Sequence, residues 1–196
     1  MDDDISYKVR FAGDKWDLDV DVCPCDVYFN EWVAANKIAN QTIYHFGTGN
    51  HHIVGFTQAQ NGSGNRVFAI TAAPEEYATY ITEASDNPLV AKNYLCYFGN
   101  VYRTNDHLLP QFDVANLFHL SEFYWPERAT PEHGGIDDVQ LLDMITRHTR
   151  PGGHILFYTK SKDWELAEPI IAAWEKTGVA QRQPDFRLLR VYRKRA

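Results

Sequence analysis

The sequence predicts an α/β fold in three layers, in which helices cover both faces of a mostly parallel seven-stranded sheet that closes in a C-terminal antiparallel hairpin. Two observations carry this prediction. Short segments rich in β-branched and aromatic residues alternate with segments of helical spacing along most of the chain. The last two strand-like segments, 179–183 and 187–193, are too close in sequence for a crossover, so that they can only form a hairpin.

The strands and the first helix follow from local patterns. The first helix is predicted to start at Asp26, taken as its N-cap, because Tyr28, Trp32, Ala35 and Ala39 then share one helical face. The predicted strands are 42–46, 66–71, 94–98, 112–118, 154–159, 179–183 and 187–193.

The remaining helices are marked by their ends. A short helix is predicted up to about residue 60, and another begins with Pro74 and two acids, which suit a first turn. The segment 139–148 has apolar residues on one side, and a turn at 150–153 leads into the fifth strand. The helix 163–176 ends before Gly178, a residue type that favours the position after a helix.

Length and charge narrow the possible classes of protein. We expect residues 1–25, which are acidic and lack periodicity, to form an N-terminal arm or lid, and 26–196 to form a single domain. The net charge of −7 argues against a nucleic-acid partner. Three cysteines, no signal peptide and no apolar run of about 20 residues predict a cytoplasmic protein without a membrane span.

A glycine turn, Gly47-Thr48-Gly49, lies between the first strand and the next helix. Glycines there let the backbone approach a ligand closely, and the helix N-terminus offers free N–H groups. A plain tight turn between strand and helix is the alternative interpretation. The G-x-G-x-x-G fingerprint of nicotinamide cofactors is not met, because its third glycine position is His52.

Several segments together resemble the motifs of class I S-adenosylmethionine-dependent methyltransferases. The glycine turn is similar to motif I, an acid-x-Gly-x-Gly-x-Gly pattern. The other segments follow in the family's order: Val67-Phe-Ala-Ile-Thr71 with the Ala-Ala-Pro-Glu-Glu after it, Phe98-Gly99-Asn100-Val101, Phe112-Asp113-Val-Ala-Asn-Leu-Phe118-His119 and Arg150-Pro151-Gly152-Gly153. The resemblance extends from about residue 27 to the C-terminus. It implies a Rossmann-like methyltransferase domain, S-adenosylmethionine as cofactor and S-adenosylhomocysteine as product.

The resemblance also implies which residues hold the cofactor. Carried over position by position, they are His45, Gly47, Thr48, Gly49, Thr71, Asn100, Val101 and Phe118. The chain departs from the family at several of these positions. Residues 45, 71 and 100 replace acids, and His51 replaces the third glycine of motif I. Losing a charge-assisted hydrogen bond of ~1.5–3 kcal/mol weakens binding roughly tenfold or more, unless Glu75, Glu76 or the N-terminal acids compensate.

The expected reaction is methyl transfer to a small-molecule acceptor. His119, just after the fourth strand, is the candidate general base, because the ordinary pKa of histidine suits neutral pH. No Asp/Asn-Pro-Pro-Tyr/Phe run follows that strand, which disfavours methylation of base or glutamine amino groups. The aromatic loop 121–135 suits a partly apolar acceptor, although such aromatics pack on the domain body equally often.

No metal site is predicted from spacing. His51 and His52 are neighbours and cannot easily face one ion together with His45, and Cys23-Pro-Cys25 lacks a second Cys/His pair at zinc-ligand spacing. The alternative function is a catalytically inactive methyltransferase-like protein that acts as a binding or interaction subunit. A nicotinamide oxidoreductase ranks third, and a homodimer is left open.

Overall fold

The computed structural model describes residues 15–124 and 135–196 of the chain. Its helices are α1 (Cys25–Ala35), α2 (Ile53–Gln60), α3 (Pro74–Asp86), α4 (Pro88–Asn93), α5 (Asp138–His148) and α6 (Trp164–Lys176). Its strands are β1 (Thr42–Phe46), β2 (Arg66–Thr71), β3 (Tyr94–Phe98), β4 (Phe112–Asn116), β5 (Thr149–Tyr158), β6 (Ala180–Arg182) and β7 (Leu189–Lys194). The first part of the predicted arm, 1–14, and most of the predicted aromatic loop, 125–134, lie outside the described residues.

All seven strands form one sheet in the order β3-β2-β1-β4-β5-β7-β6. Strand β1 pairs in parallel with β2 and with β4, so that Ile43 lies opposite Val67 on one side and Val114 on the other. Strand β7 pairs antiparallel with both β5 and β6. The predicted fold class is therefore confirmed, including the C-terminal hairpin.

Side chains on the two faces of the sheet pack into separate hydrophobic cores. On one face, Tyr44 packs with Leu141 of α5 and Ile171 of α6. On the other face, Ile43 packs with Phe29 of α1, and α2, α3 and α4 contribute to the same cluster. Adjacent residues of β1 thus point into different cores, as expected for a strand buried on both sides. Within the described ranges, no helix has the length and apolar character needed to cross a bilayer.

The start of α1 differs from the prediction. The helix begins at Cys25, and Pro24 occupies the N-cap position without a capping side chain. The prediction that Asp26 is the N-cap is wrong, because Asp26 lies inside the first turn of the helix and is only 5% exposed. The carboxylate is thereby free to face the carboxyl end of the sheet.

Helix α4 and strand β5 differ most from the sequence-based boundaries, while the predicted strands 112–118, 179–183 and 187–193 differ from β4, β6 and β7 by one or two residues at their ends. Helix α4 was not predicted, because six residues are too few to display helical periodicity; the Asn87 side chain caps it by accepting from the N–H groups of Leu89 and Val90. Strand β5 starts at Thr149 and includes the predicted turn at 150–153. The register against β4 shifts between Phe112 and Val114, which accommodates these extra residues.

Candidate functional site

The glycine turn lies where the sheet changes its winding direction, between β1 and β4. Ligands of open α/β sheets bind at such a switch point, beyond the carboxyl ends of the strands. Gly47 and Gly49 have φ angles of +80° and +55°. A Cβ atom on Gly49 would lie 2.5 Å from Nε2 of His51 and 3.0 Å from the carbonyl oxygen of Trp16. Glycine is therefore required at this position by both backbone conformation and space.

A buried carboxylate, that of Glu76, lies directly beside this turn. It comes from the first turn of α3 and is only 7% exposed. Its Oε2 atom accepts hydrogen bonds from Oγ1 of Thr71, at 2.5 Å, and from Oγ1 of Thr48, at 3.4 Å. Both threonines are sequence-predicted cofactor residues, so the structure joins the end of β2 to the glycine turn through one acidic group.

Histidine 52 holds the two helices of this region in place. It precedes α2 in a left-handed conformation with φ of +44°. Its Nε2 donates to the carbonyl oxygen of Glu76 at 2.7 Å, which leaves Nδ1 to accept from the hydroxyl of Tyr94, also at 2.7 Å. Since both ring nitrogens are used internally, His52 fixes the position of Glu76 and does not face the site.

The described end of the N-terminal segment lies over the glycine turn. The backbone N–H of Trp16 donates to Oε1 of Glu76 at 3.2 Å, and its carbonyl oxygen accepts from the N–H of Asn50 at 2.7 Å. The Asn50 side chain in turn donates to Asp17 at 2.8 Å. The main chain of Trp16 thus forms hydrogen bonds with a carboxylate oxygen of Glu76 and with the backbone N–H of Asn50, both at the edge of the candidate cofactor site.

A second buried acid, Asp26, faces His45 and His51, which stand where motif I has an acid and its third glycine. Its Oδ2 lies 3.6 Å from Nε2 of His45 and 3.8 Å from Nε2 of His51. Nδ1 of His45 donates to Oδ1 of Asn116 at 3.0 Å. That atom is the carbonyl oxygen of the side chain and accepts from the backbone N–H of Phe46 as well. Burial alone would raise the pKa of Asp26, but His45, His51 and His119 together lower it. Burial lowers the pKa of His51, although Asp26 partly opposes this effect.

His119, the predicted general base, lies beside the glycine turn with two cysteines. A Cβ atom on Gly47 would be 3.5 Å from Cδ2 of His119. The Sγ atom of Cys25 is 3.9 Å from Nε2 of His119 and 3.4 Å from Sγ of Cys23. On the other side of the ring, Nδ1 donates to Oε1 of Glu122 at 3.0 Å.

The pKa values of Cys23, Cys25 and His119 depend on the contacts among these side chains. Burial by itself would lower the pKa of His119, but the hydrogen bonds to Cys23 and Glu122 outweigh it and raise that pKa to about 10. The hydrogen bond from Cys25 lowers the pKa of the Cys23 thiol, and the same pairing, together with burial, raises the pKa of Cys25. His119 therefore carries its proton at neutral pH in this arrangement.

The other predicted cofactor residues are less directly engaged. The Asn100 side chain accepts from the N–H of Tyr102 and caps the short 3-10 turn Val101–Arg103. Val101 is buried in the core that contains α5 and α6. Phe118 is buried in the opposite core, where its ring packs edge-on against Phe29 at 5.8 Å. The structure therefore places His45, residues 47–49 and Thr71 at the same end of the sheet, whereas Val101 and Phe118 are packed in the two separate cores.

Sequence reasoning missed the acid Asp26 and the partnership of His119 with Cys23 and Cys25. Asp26 looked like a helix cap, since aspartate is common there. The Cys-Pro-Cys spacing was a visible signal, but its partner is 94 residues away from Cys25 in the chain. Only the fold brings such distant residues together.

Comparison with known proteins agrees with this architecture. No family model matches the sequence, and no curated protein matches it. A methyltransferase from Pyrococcus furiosus is similar in structure, with 16% identity and a TM-score of 0.61 over 87% of this chain and 83% of that one. The CcbJ methyltransferase from Streptomyces caelestis is similar over 92% of this chain and 94% of its own, with 13% identity and a TM-score of 0.61.

Another similar structure is much longer than this chain. A coclaurine N-methyltransferase is 16% identical over 67% of this chain, with a TM-score of 0.49, and the match spans only 35% of that protein. Together with the strand order, the two similar structures of comparable length show that the chain has the class I methyltransferase fold. The resemblance found in the sequence motifs is confirmed at the level of the fold.

Proposed function

We propose that this protein transfers a methyl group from S-adenosylmethionine to a small-molecule acceptor. The observation that carries the proposal is the glycine turn at the switch point, whose two glycines have positive φ angles, beside the buried carboxylate of Glu76. A turn of this kind allows a ligand to come close to the protein backbone. A buried carboxylate accepts strong hydrogen bonds from hydroxyl groups. Both features suit a nucleoside cofactor.

The residues present fit this cofactor in spite of the missing family acids. S-adenosylmethionine supplies an activated methyl group, so the protein's part is to bind, align and exclude water. Gly47 and Gly49 leave room along the main chain, and Glu76 offers an acceptor where Thr71 alone would have offered a neutral hydroxyl. Asp26 adds a second negative charge beside His45.

The role of His119 as general base stays a prediction. With its pKa raised to about 10, the imidazole holds its proton at neutral pH. An acceptor that needs proton removal would therefore have to displace the contact with Cys23 or Glu122 before His119 could act. Acceptors that react without losing a proton face no such requirement.

Calorimetric titration tests the proposal. S-adenosylmethionine and S-adenosylhomocysteine are expected to bind, whereas NAD is not. Gly49→Ala is expected to abolish or strongly weaken binding, because its Cβ would collide with His51 and the Trp16 carbonyl. Gly62→Ala is the matched control, since Gly62 has a similar φ of +75° but no atom within 4 Å of a new Cβ.

Two outcomes would contradict the proposal. Absence of binding by either S-adenosyl compound at millimolar concentration would leave the alternative, a noncatalytic interaction subunit with this fold. Equal loss of binding in Gly49→Ala and Gly62→Ala would trace the effect to backbone strain and not to the turn as a binding element.

A further inference from the structure

A cluster of three potential metal ligands lies next to the glycine turn. The Sγ atoms of Cys23 and Cys25 and a ring nitrogen of His119 all lie within 4.8 Å of one another. Cys25 is buried, while Cys23 and His119 are partly exposed, so that the cluster is reachable from solvent. Nothing in the proposed methyl transfer requires two thiols at this place.

Two of the three separations in this cluster are close to those of a tetrahedral zinc site. Zinc binds thiolate at about 2.3 Å and imidazole at about 2.0–2.1 Å, which places two tetrahedral sulfur ligands roughly 3.8 Å apart and sulfur and nitrogen roughly 3.5 Å apart. The observed S–S distance is 3.4 Å, and the observed distance from Cys25 Sγ to His119 Nε2 is 3.9 Å. Each of these two separations differs from its tetrahedral value by about 0.4 Å, and the third separation, from Cys23 Sγ to the His119 ring, is within 4.8 Å.

The surroundings of His119 provide an independent indication. A metal-bound histidine nearly always donates its second ring N–H to a carboxylate or carbonyl, which orients the ring and increases its basicity. Here Nδ1 of His119 donates to Oε1 of Glu122, so Nε2 is the nitrogen aimed at the cysteines. Glu122 is itself held by the backbone N–H of Lys162 at 2.8 Å.

We propose that Cys23, Cys25 and His119 bind a zinc ion with an open fourth coordination position. Two thiolates and one imidazole form a donor set suited to zinc. On binding, the sulfur atoms and Nε2 coordinate as deprotonated donors and release any protons they carry, while Nδ1 keeps its hydrogen bond to Glu122. Since both ring nitrogens are then engaged, zinc binding and the role of His119 as general base exclude each other. Two thiolates neutralise the charge of the ion. The fourth position is left for water or a substrate heteroatom. The His119 ring itself lies beside Gly47, since a Cβ atom there would be 3.5 Å from Cδ2 of the ring.

Cobalt(II) absorption spectroscopy of the full chain under reducing conditions tests this site. One equivalent of cobalt(II) is expected to give thiolate-to-metal charge-transfer bands and intense tetrahedral d–d bands, which zinc then removes by displacement. Cys23→Ser, Cys25→Ser and His119→Gln are each expected to weaken binding at least tenfold. Cys96→Ala is the matched control, because Cys96 is buried on β3, two strands from β1, and is not among the three clustered ligands.

Glu122→Gln separates a metal site from a chance grouping. It removes no ligand, but it is expected to lower zinc affinity by about 10–100-fold through the orientation of His119. Thermal unfolding by circular dichroism shows whether each variant folds, and zinc should raise the unfolding temperature of the wild type more than that of Cys23→Ser. Since Cys23 is only half-buried, its variant remains informative even if Cys25→Ser does not fold.

The proposal is overturned if no charge-transfer band appears with stoichiometric cobalt(II), or if the Cys23→Ser/Cys25→Ser double variant binds cobalt as tightly as the wild type. These measurements use no cofactor or acceptor. Failure of zinc binding would therefore leave the proposed methyl transfer untouched, and failure of cofactor binding would leave the metal site.

Discussion

Replacing Glu76 by Gln tests whether a helix-borne acid takes over the cofactor contact that Thr71 cannot make alone. The substitution keeps the size of the side chain but removes its charge. In the wild type, Oε2 accepts from Thr71 and Thr48, and Oε1 accepts from the N–H of Trp16. A glutamine has one acceptor oxygen, and its amide nitrogen would face donors that now meet a carboxylate oxygen.

The expected loss of affinity follows from the strength of one charge-assisted hydrogen bond. Hydrogen bonds to a charged group contribute about 1.5–3 kcal/mol, which corresponds to a dissociation constant roughly 10–150-fold larger. Because Glu76 is only 7% exposed, little solvent competes for the carboxylate. The Trp16 contact works in the opposite direction, since a ligand hydroxyl must compete with a hydrogen bond that already exists. We therefore expect the lower half of this range.

Calorimetric titration of S-adenosylhomocysteine into Glu76→Gln and Glu75→Gln measures the effect. Glu75 is the matched control, because it precedes Glu76 on the same turn of α3 and is exposed. Thermal unfolding without ligand is recorded for both variants, so that a loss of stability is not mistaken for a loss of affinity. Equal affinities of the two variants would refute the assignment of Glu76 to the cofactor site.

Two further predictions concern the packing behind the site. Burial lowers the pKa of His52 from 6.5 to about 4, so the unfolded chain takes up the proton more readily, and stability is lost as pH falls from about 6.5 towards 4. Between about pH 7 and pH 5 we expect a loss on the order of 2 kcal/mol in urea unfolding, and an unchanged pH dependence in His52→Asn would contradict this. Gly55→Ala is expected to destabilise by about 1–3 kcal/mol, since its Cβ would overlap the ring of Tyr94. The higher helix propensity of alanine would offset only about 1 kcal/mol of this loss. A variant more stable than the wild type would refute the expected overlap. Thr57→Ala, at an exposed position of α2, is the control in the same urea unfolding assay.

Most of the fold could be predicted from sequence because its signals are local. The strands 42–46, 66–71 and 94–98 agree with the structure to the residue, since each is a short apolar segment between strong turn residues. The closing hairpin followed from the short separation between the last two strand-like segments. Helix α4 and the early start of β5 were not predicted. The helix is too short to show a periodic pattern, and the start of β5 depends on its pairing with β4.

The candidate site was predictable only where it is contiguous in sequence. The glycine turn follows directly from its residues, and its positive φ angles agree with the expected role of glycine. The contacts of Cys23 and Cys25 with His119 depend on where α1 ends up relative to β4, which no local pattern specifies. The pKa of His119 is raised for the same reason, so its protonation at neutral pH could not be foreseen from its ordinary value.

Neutral residues at the family's acid positions leave the edge of the sheet acidic nonetheless. Asp26 reaches from α1 to His45, and Glu76 reaches from α3 to Thr71, so that two of the three replacements are paired with a carboxylate from a helix. Burying a carboxylate is costly unless its partners repay the desolvation, and these two acids are only 5% and 7% exposed. Three histidines compensate the charge of Asp26, whereas the hydrogen bonds to Glu76 come from neutral donors, Thr71, Thr48 and the N–H of Trp16. The arrangement therefore favours a cofactor site that obtains its negative charge from helices α1 and α3 instead of from the strand ends.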